Sequence, residues 1–381
     1  MQIKNNAILS CRLLFFIVSF YIGLWTIRIP TIKDQLQTDY LGIGYIFVSF
    51  AFGSILIMII SNQIIKKFSS KITIAFSAIM QSLLWLVVPF INDLFLFIPF
   101  SFIFGISYGL FEVAINLQAS NIEKKENKSM MSNFHAFFSL GLLSGSFCTS
   151  LFLEFNISFF YNTLLYVIIL LPLNIYFVMN LIRDSVSEEK SQNNIFFIWP
   201  GIIFVLVIFA ISDSLLEGGI DSWAALYMQD EIKVNGFFIG IATISFNLFM
   251  VVGRFIGDYL RDFLGIYRFI LCLFILSLIG LIIIFFSNTL LFSIIGFSIT
   301  GLGSSCIIPL AYSLSGKVKG IDPAVGISII SISAYGVFMI APAGMGLIAK
   351  FIGISYVFSP MIFLFIFSLL IAIAFNRKFN F

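Results

Sequence analysis

The sequence predicts an all-α polytopic membrane protein with twelve transmembrane helices, arranged as two six-helix bundles that are parallel copies of each other. Three observations lead to this fold class. The chain of 381 residues is 60% hydrophobic and only 10% charged, whereas a soluble domain carries about 25% charged residues. Its apolar residues fall into twelve long segments, and its two halves share residues at a fixed spacing.

Each predicted helix is an apolar segment long enough to cross a membrane. A hydrocarbon core of about 30 Å requires about 20 residues at 1.5 Å per residue. The predicted spans are 8–30, 41–64, 72–91, 94–120, 132–154, 158–181, 198–228, 236–258, 267–286, 288–315, 322–350 and 353–375. The longest polar interruption, 183–194, leaves no room for a large soluble domain between them.

The basic residues predict the orientation of these spans. With the N-terminus in the cytoplasm, 17 of the 21 Lys and Arg residues lie on the cytoplasmic side. These are Lys4, Arg12, Lys66, Lys67, Lys71, Lys124, Lys125, Lys128, Arg183, Lys190, Arg254, Arg261, Arg268, Lys317, Lys319, Arg377 and Lys378, and the other four are Arg28, Lys33, Lys233 and Lys350. This asymmetry follows the positive-inside rule and predicts that both termini are cytoplasmic.

The two halves of the chain resemble each other when one is shifted by 196 residues. LGIGYIFVSF at 41–50 then aligns with FFIGIATISF at 237–246, and Gly105 aligns with Gly301. Trp25 also aligns with Trp223 if two residues are deleted from the intervening loop. These matches indicate a parallel duplication of six helices. We therefore expect an N-terminal bundle at 1–182, a cytoplasmic linker at 183–197 and a C-terminal bundle at 198–381.

The cysteines and the single histidine do not indicate a metal or disulfide site. Cys11, Cys148, Cys272 and Cys306 lie in or beside apolar segments without ligand or pair spacing, so we interpret them as packing residues. The first apolar segment has no small-residue cleavage site and is expected to be retained. No cofactor is expected.

The loop after the second span carries a motif in both halves. NQIIKKFSSK at 62–71 and GRFIGDYLRDFLGIYR at 253–268 resemble Gly-x-x-x-Asp-Arg/Lys-x-Gly-Arg/Lys, the signature of the major facilitator superfamily. The resemblance covers the whole chain and implies the major facilitator fold. It also implies that charged residues of these loops latch the cytoplasmic side. The candidate gating residues are Lys66, Lys67, Arg254, Asp258 and Asp262. The first copy lacks the Asp, which places its latch in question.

Three further stretches narrow the resemblance. SYGLFEVAINLQASNIE, HAFFSLG and EGGIDSWAALY resemble a bacterial branch close to the fucose-type sugar permeases. This resemblance implies a multi-pass protein of the bacterial inner membrane and a functional acid in the fourth span, at Glu112. Fucose-type permeases also carry an acid in the first span, where this chain offers only Tyr21, Trp25 and Arg28.

The seventh span contains three acids at four-residue intervals, Asp213, Glu217 and Asp221, which lie on one helix face. An ionised Asp costs about 2.5–3.5 kcal/mol at the centre of a lipid-embedded helix, so these acids require water, partners or protons. We favour a cavity for Asp213 and Glu217. Asp221 and Trp223 are interpreted as an interfacial cap and an aromatic anchor. Gly218 and Gly219 would permit an unwound hinge.

A second stripe in the fourth span consists of Tyr108, Glu112 and Asn116, with Glu112 about 16 Å from the cytoplasmic boundary. Further candidates are individually weaker. They are Trp25 as a stacking residue, Arg28 as a partner of a seventh-span acid or of lipid phosphate, His135 near the inner surface, and Asn247 and Tyr335 as polar contacts. The 49 Phe residues are interpreted mainly as lipid-facing bulk.

The sequence therefore predicts a secondary transporter that moves a small polar solute, sugar-like or another metabolite, across the membrane by alternating access and with H+ as the coupling ion. The chain has no GxxxxGK[ST] motif for ATP. An efflux transporter for drugs or metabolites is the alternative within transport, and a non-transporting sensor is the alternative outside it. An enzyme and a nucleic-acid-binding protein are not indicated. We expect a monomer in the lipid bilayer.

Overall fold

The structure is a computed structural model, and it describes residues 5–126, 130–182, 200–315, 318 and 323–375. These residues form thirteen α-helices and three short 3-10 turns, and no strand occurs among them. The helices are α1 (Asn5–Gln35), α2 (Tyr40–Phe68), α3 (Ser70–Val87), α4 (Leu94–Glu126), α5 (Met131–Glu154), α6 (Phe159–Met179), α7 (Gly201–Asp230), α8 (Ile241–Leu264), α9 (Ile266–Phe286), α10 (Leu290–Ser304), α11 (Ile307–Ser315), α12 (Pro323–Phe351) and α13 (Ser359–Ala374).

The predicted fold class is confirmed, because twelve helical segments of the described chain are long and apolar enough to cross a membrane. Eleven spans correspond to one helix each, and α10 and α11 together form the tenth span. The predicted ends differ from the helix ends by a few residues. The eighth span, for example, opens with a 3-10 turn at Gly236–Gly240 before α8 begins.

The chain divides into two compact units, Met1–Glu188 and Glu189–Phe381. In the first unit α1 packs on α5, α2 on α4, and α3 on α4 and α6. In the second unit α7 packs on α12, α8 on α10, and α9 on α10 and α13. The same spans are therefore neighbours in both units. The predicted linker at 183–197 lies outside the described residues.

The internal repeat includes an equivalent close contact in each unit, in which a glycine of one helix faces a backbone carbonyl oxygen of another. A Cβ at Gly105 would lie 2.0 Å from the carbonyl oxygen of Phe50, and a Cβ at Gly301 would lie 2.1 Å from that of Phe246. Both pairs are related by the same shift, since 105 + 196 = 301 and 50 + 196 = 246. Glycine at these positions lets α4 approach α2, and α10 approach α8, at backbone distance.

The sequence suggested an unwound hinge in the seventh span, but the structure interrupts the tenth span instead. α7 continues unbroken through Gly218 and Gly219, so the unwound hinge expected there is wrong. The two glycines serve packing instead, because their Cα atoms face the Phe338 backbone of α12 and the side chains of Met345 and Met361. The interruption occurs in the tenth span, between Ser304 and Ile307.

Candidate functional site

The acids of α7 lie within the second unit, where α8, α10 and α11 supply their partners. We call Asp213, Glu217 and Asp221, together with Arg254 and Ser304, the α7 acid cluster. Asp213 lies near the middle of α7, is fully buried, and accepts a hydrogen bond from the hydroxyl of Ser304 in α10. It also interacts with the backbone N–H of Ile308 in α11. The fully buried acid of α7 is therefore tied to the interrupted tenth span.

Glu217 lies one turn further along α7 and pairs with Arg254 of α8. An Arg254 guanidinium nitrogen lies 3.3 Å from Glu217 Oε1, and each side chain retains about a quarter of its exposure. Arg254 Nε also donates to the carbonyl oxygen of Ser305 at 3.1 Å. Arg254 is expected in the gating motif from its sequence, and neither contact was predicted. The structure thus adds a half-buried cation to the acid stripe.

Asp221 and Trp223 differ from their sequence interpretation. Trp223 is fully buried and donates its indole N–H to the carbonyl oxygen of Pro342 in α12 at 2.9 Å, so it is not an interfacial anchor. Asp221 interacts with the buried side chain of Asn247 in α8 and with Glu217, so it extends the stripe rather than capping a helix. Asn247 also donates to the Thr243 carbonyl oxygen at 3.0 Å.

The polar stripe of α4 contains a second buried carboxylate. Glu112 is buried, and its Oε1 accepts a hydrogen bond from Asn116 Nδ2 at 2.9 Å. Asn116 also donates to the Glu112 backbone carbonyl oxygen at 2.9 Å. Tyr108, one turn earlier, is half-buried and its ring packs on Phe50 of α2. Glu112 and Asn116 are therefore in direct contact.

The candidates in α1 separate into an aromatic group and a structural arginine. Trp25 is half-buried and contacts the rings of Phe47 and Trp85. Arg28 is buried and donates to Asn162 Oδ1 at 3.1 Å and to the Ile157 carbonyl oxygen at 3.0 Å. Because these partners belong to α6 and to the turn before it, the expectation that Arg28 extends to lipid phosphate is wrong.

His135 lies early in α5, and its ring packs on Phe15 of α1 at a centroid distance of 5.4 Å. Tyr335 is half-buried near the middle of α12. Both positions are compatible with packing as well as with contact to a solute.

The gating candidates occupy the ends of α2 and α8. Lys66 and Lys67 are exposed in the last turn of α2. Asp262 is exposed and pairs with its neighbour Arg261 at 3.1 Å. Asp258 lies in α8, and its side chain lies outside the described residues.

The interruption of the tenth span was not predicted, although the sequence carries a signal for it. Pro309 follows the interruption by a few residues. A proline in a helix frees the carbonyl group four residues earlier, which here is that of Ser305. Among the described residues, no three His, Cys, Asp or Glu side chains are grouped so as to hold a metal ion.

Comparison with solved structures finds the same architecture. The nucleoside transporter NupG aligns with a TM-score of 0.71 at 14% identity, covering 99% of this chain and 100% of that one. A bacterial homolog of the human lysosomal transporter Spinster aligns with a TM-score of 0.68 at 13% identity, covering 99% and 97%. At these identities the likeness concerns the fold.

Sequence comparison gives the family. An uncharacterized MFS-type transporter of Yersinia pestis is 26% identical over 353 residues, 92% of this chain and 90% of that protein. The membrane protein MosC of Rhizobium meliloti is 24% identical over 358 residues, 92% and 86% of the two chains. The family model of the major facilitator superfamily matches residues 11–216 and 202–378. The chain therefore belongs to the major facilitator superfamily, as a multi-pass membrane transporter of small-molecule solutes.

Proposed function

We propose that this transporter is a secondary active, proton-coupled carrier of a small polar solute that works by alternating access. The observation that supports this proposal most directly is the placement of Asp213, a fully buried carboxylate near the middle of a membrane-spanning helix with a serine hydroxyl as its hydrogen-bond donor. A carboxylate in such a place is costly unless it binds a proton or a cation. Reversible protonation of the Asp213 carboxylate would couple transport to the proton gradient.

Glu112 is the second proposed proton-binding group. It lies within α4 with Asn116 as its amide donor, and an amide can hydrogen-bond a carboxyl group in either protonation state. Each unit therefore contains, among the described residues, a buried acid that accepts a hydrogen bond from a neutral side chain. Glu217 differs, because its pairing with Arg254 compensates its charge. We assign proton coupling to Glu112 and Asp213, and a solute-contacting role to Glu217.

The solute is proposed to be sugar-like or another polar metabolite. Hydroxyl and amide groups lie on the same helix as Glu112, at Tyr108 and Asn116 in α4, and further polar side chains are Asn247 in α8 and Trp25 in α1. Such groups supply the hydrogen bonds and the stacking that a hydroxylated solute requires. The resemblance to fucose-type permeases agrees with this class of solute.

The remaining parts of the proposal follow from the sequence. We propose a monomer in the bacterial inner membrane, with Lys66, Lys67, Asp258 and Asp262 acting as cytoplasmic gating residues. Arg254 is proposed to serve the solute site as well, because it pairs with Glu217 within the α7 acid cluster.

The test begins with a ligand. Melting temperatures of the purified protein would be measured against panels of sugars, polyols, nucleosides and organic acids, since a bound solute raises the melting temperature by mass action. Uptake of the best ligand into proteoliposomes would then be driven by an imposed pH gradient. Replacing Asp213 with Asn, or Glu112 with Gln, should reduce gradient-driven uptake by at least about tenfold and leave solute exchange at equal pH on both sides largely intact.

Asp230→Asn and Glu154→Gln serve as matched controls, because these acids lie at the ends of α7 and α5. Both controls should transport like the unmodified protein. Gradient-driven uptake that survives in both D213N and E112Q would rule out the coupling role. Loss of uptake in the end-of-helix controls would show that the assay reports folding rather than coupling.

A further inference from the structure

The tenth span is interrupted at a point that the sequence explains. α10 ends at Ser304 and α11 begins at Ile307, with Ser305 and Cys306 between them. Pro309 has no N–H to donate to the carbonyl oxygen of Ser305, and its ring would collide with that carbonyl in a continuous helix. The interruption therefore frees backbone groups inside the membrane, where each one requires a partner.

Charged side chains of the α7 acid cluster occupy both sides of this interruption. The freed carbonyl oxygen of Ser305 accepts a hydrogen bond from Arg254 Nε at 3.1 Å. Asp213 accepts a hydrogen bond from the Ser304 hydroxyl at the end of α10 and lies near the backbone N–H of Ile308, in the first turn of α11. A carboxylate near the start of a helix interacts favourably with the helix dipole.

We infer that Ser304 and Arg254 are positioning residues that tie the interrupted turn of the tenth span to Asp213, so that neutralisation of Asp213 releases this turn. A neutral carboxyl group loses its attraction to the start of α11 and is a weaker acceptor for the Ser304 hydroxyl. The inference rests on the proposed function, in which Asp213 is a proton-binding group, and it names the structural element that the proton would control.

Other charged and titratable groups near Asp213 are few. Its own helix provides Glu217 and Asp221, α8 provides Arg254, and α11 provides Tyr312, which interacts with Ser331 and with Glu217. The described side chains of α10 and α13 include no charged group, and those of α12 include Tyr335 and, in its last turn, Lys350. Within the described residues of the second unit, Arg254 is the cation that interacts with Asp213, and it is also paired with Glu217.

Cys306 provides a probe inside the interrupted turn. Its thiol is half-buried and lies 3.6 Å from the carbonyl oxygen of Gly253 in α8. In a background with Cys11→Ala, Cys148→Ser and Cys272→Ser, only this thiol remains for N-ethylmaleimide. The rate of alkylation would be measured on the purified protein in detergent over a range of pH, and the rates of the fully ionised thiol would be compared. This separates a change in access from a change in thiolate fraction, which removal of a nearby carboxylate also causes.

Asp213→Asn imitates the neutral acid and should raise the rate at Cys306 by roughly tenfold, because the turn loses a charge-assisted hydrogen bond. Ser304→Ala should raise it similarly, and Ser304→Thr, which retains the hydroxyl, should restore the original rate. Ser315→Ala is the matched control, since the hydroxyl of Ser315 donates to the Tyr312 carbonyl oxygen within its own helix, at the opposite end of α11 from the interrupted turn. Its rate should equal that of the background protein.

An unchanged rate in both D213N and S304A would overturn the inference, as would an equal increase in S315A. Melting temperature and size-exclusion profile identify a variant that has lost its fold. If S304A is such a variant, D213N and S304T decide the test, since S304T retains the hydroxyl and should keep the original rate. The measurement uses neither a solute nor a gradient. A failure of proton-driven transport would therefore be seen separately from a failure of this inference.

Discussion

Ser69 and Gly265 occupy the same place in the two halves, since 69 + 196 = 265, and both have an unusual backbone conformation. Ser69 has φ 74° and ψ 153°, and Gly265 has φ 76° and ψ 156°. Glycine adopts this region readily, whereas a residue with a Cβ is strained there. Ser69 is also where the first motif copy departs from the family pattern of glycine, so the departure has an identifiable physical cost.

Replacing Ser69 with Gly should therefore stabilise the protein by about 1 kcal/mol, because it removes strain of about 1–3 kcal/mol and costs only the weak 3.4 Å hydrogen bond from the Ile72 N–H to the serine hydroxyl. Gly265→Ser should destabilise it by a similar amount. Melting temperatures of the purified variants in one detergent would measure both changes. A lower melting temperature for S69G, or no change for G265S, would contradict this account of the turn.

The sequence predicted which site residues lie on one face of the same helix, but not the contacts between different helices. The stripes Tyr108, Glu112 and Asn116, and Asp213 with Glu217, follow from four-residue spacing. The contacts of Glu217 with Arg254 and of Asp213 with Ser304 join residues 37 and 91 positions apart. Such contacts depend on which helices pack together and at what register, which spacing along one helix does not specify. Arg28 was misinterpreted for the same reason, because its partner Asn162 lies on another helix.

At the scale of helices, the sequence identified the elements but not their irregularities. Apolar length is sufficient to find each span, since the bilayer sets that length. Two adjacent glycines in α7 indicated a hinge, yet α7 is continuous and its glycines allow close packing against neighbouring helices. In the tenth span a proline, together with buried partners for the freed backbone groups, makes the interruption stable. Helix continuity is thus decided by tertiary contacts rather than by propensity alone.

The two backbone contacts at Gly105 and Gly301 allow a prediction about helix pairs. Gly301→Ala should destabilise the protein by about 1–3 kcal/mol, because the added methyl group would lie 2.1 Å from a backbone carbonyl oxygen that cannot move without shifting α8. Gly105→Ala should have a similar effect through α2. The decrease in melting temperature measures both.

Gly336→Ala is the control for these variants, since nothing lies within 4 Å of a Cβ built at this helical glycine of α12. It should be neutral or stabilising by up to about 1 kcal/mol through helix propensity. Equal melting temperatures for G301A and G336A would show that the close approach of α10 and α8 contributes little to stability.

At the scale of the whole molecule, the duplication explains why the fold was predictable. Six spans that pack in one pattern occur twice, so the sequence of each half separately indicates the same helix arrangement. The halves differ in chemistry, however. The α7 acids Asp213 and Glu217 correspond to Phe15 and Ser19 under the shift of 198 that aligns Trp25 with Trp223. The fold is therefore repeated, while the acid cluster belongs to the second half alone.

The charge asymmetry of the loops predicts the orientation of the whole chain. Basic residues flanking the spans are retained on the cytoplasmic side during insertion, and 17 of the 21 Lys and Arg residues fall on one side of a twelve-span topology. A green fluorescent protein fused after Phe381 should therefore fluoresce, because it matures in the cytoplasm. Alkaline phosphatase at the same position should be inactive, because it requires the periplasm. The same pair of reporters placed after Asp230, at the end of α7, should give the opposite result. Active phosphatase at the C-terminus would mean an odd number of spans or an inverted chain, and either outcome would contradict the predicted topology.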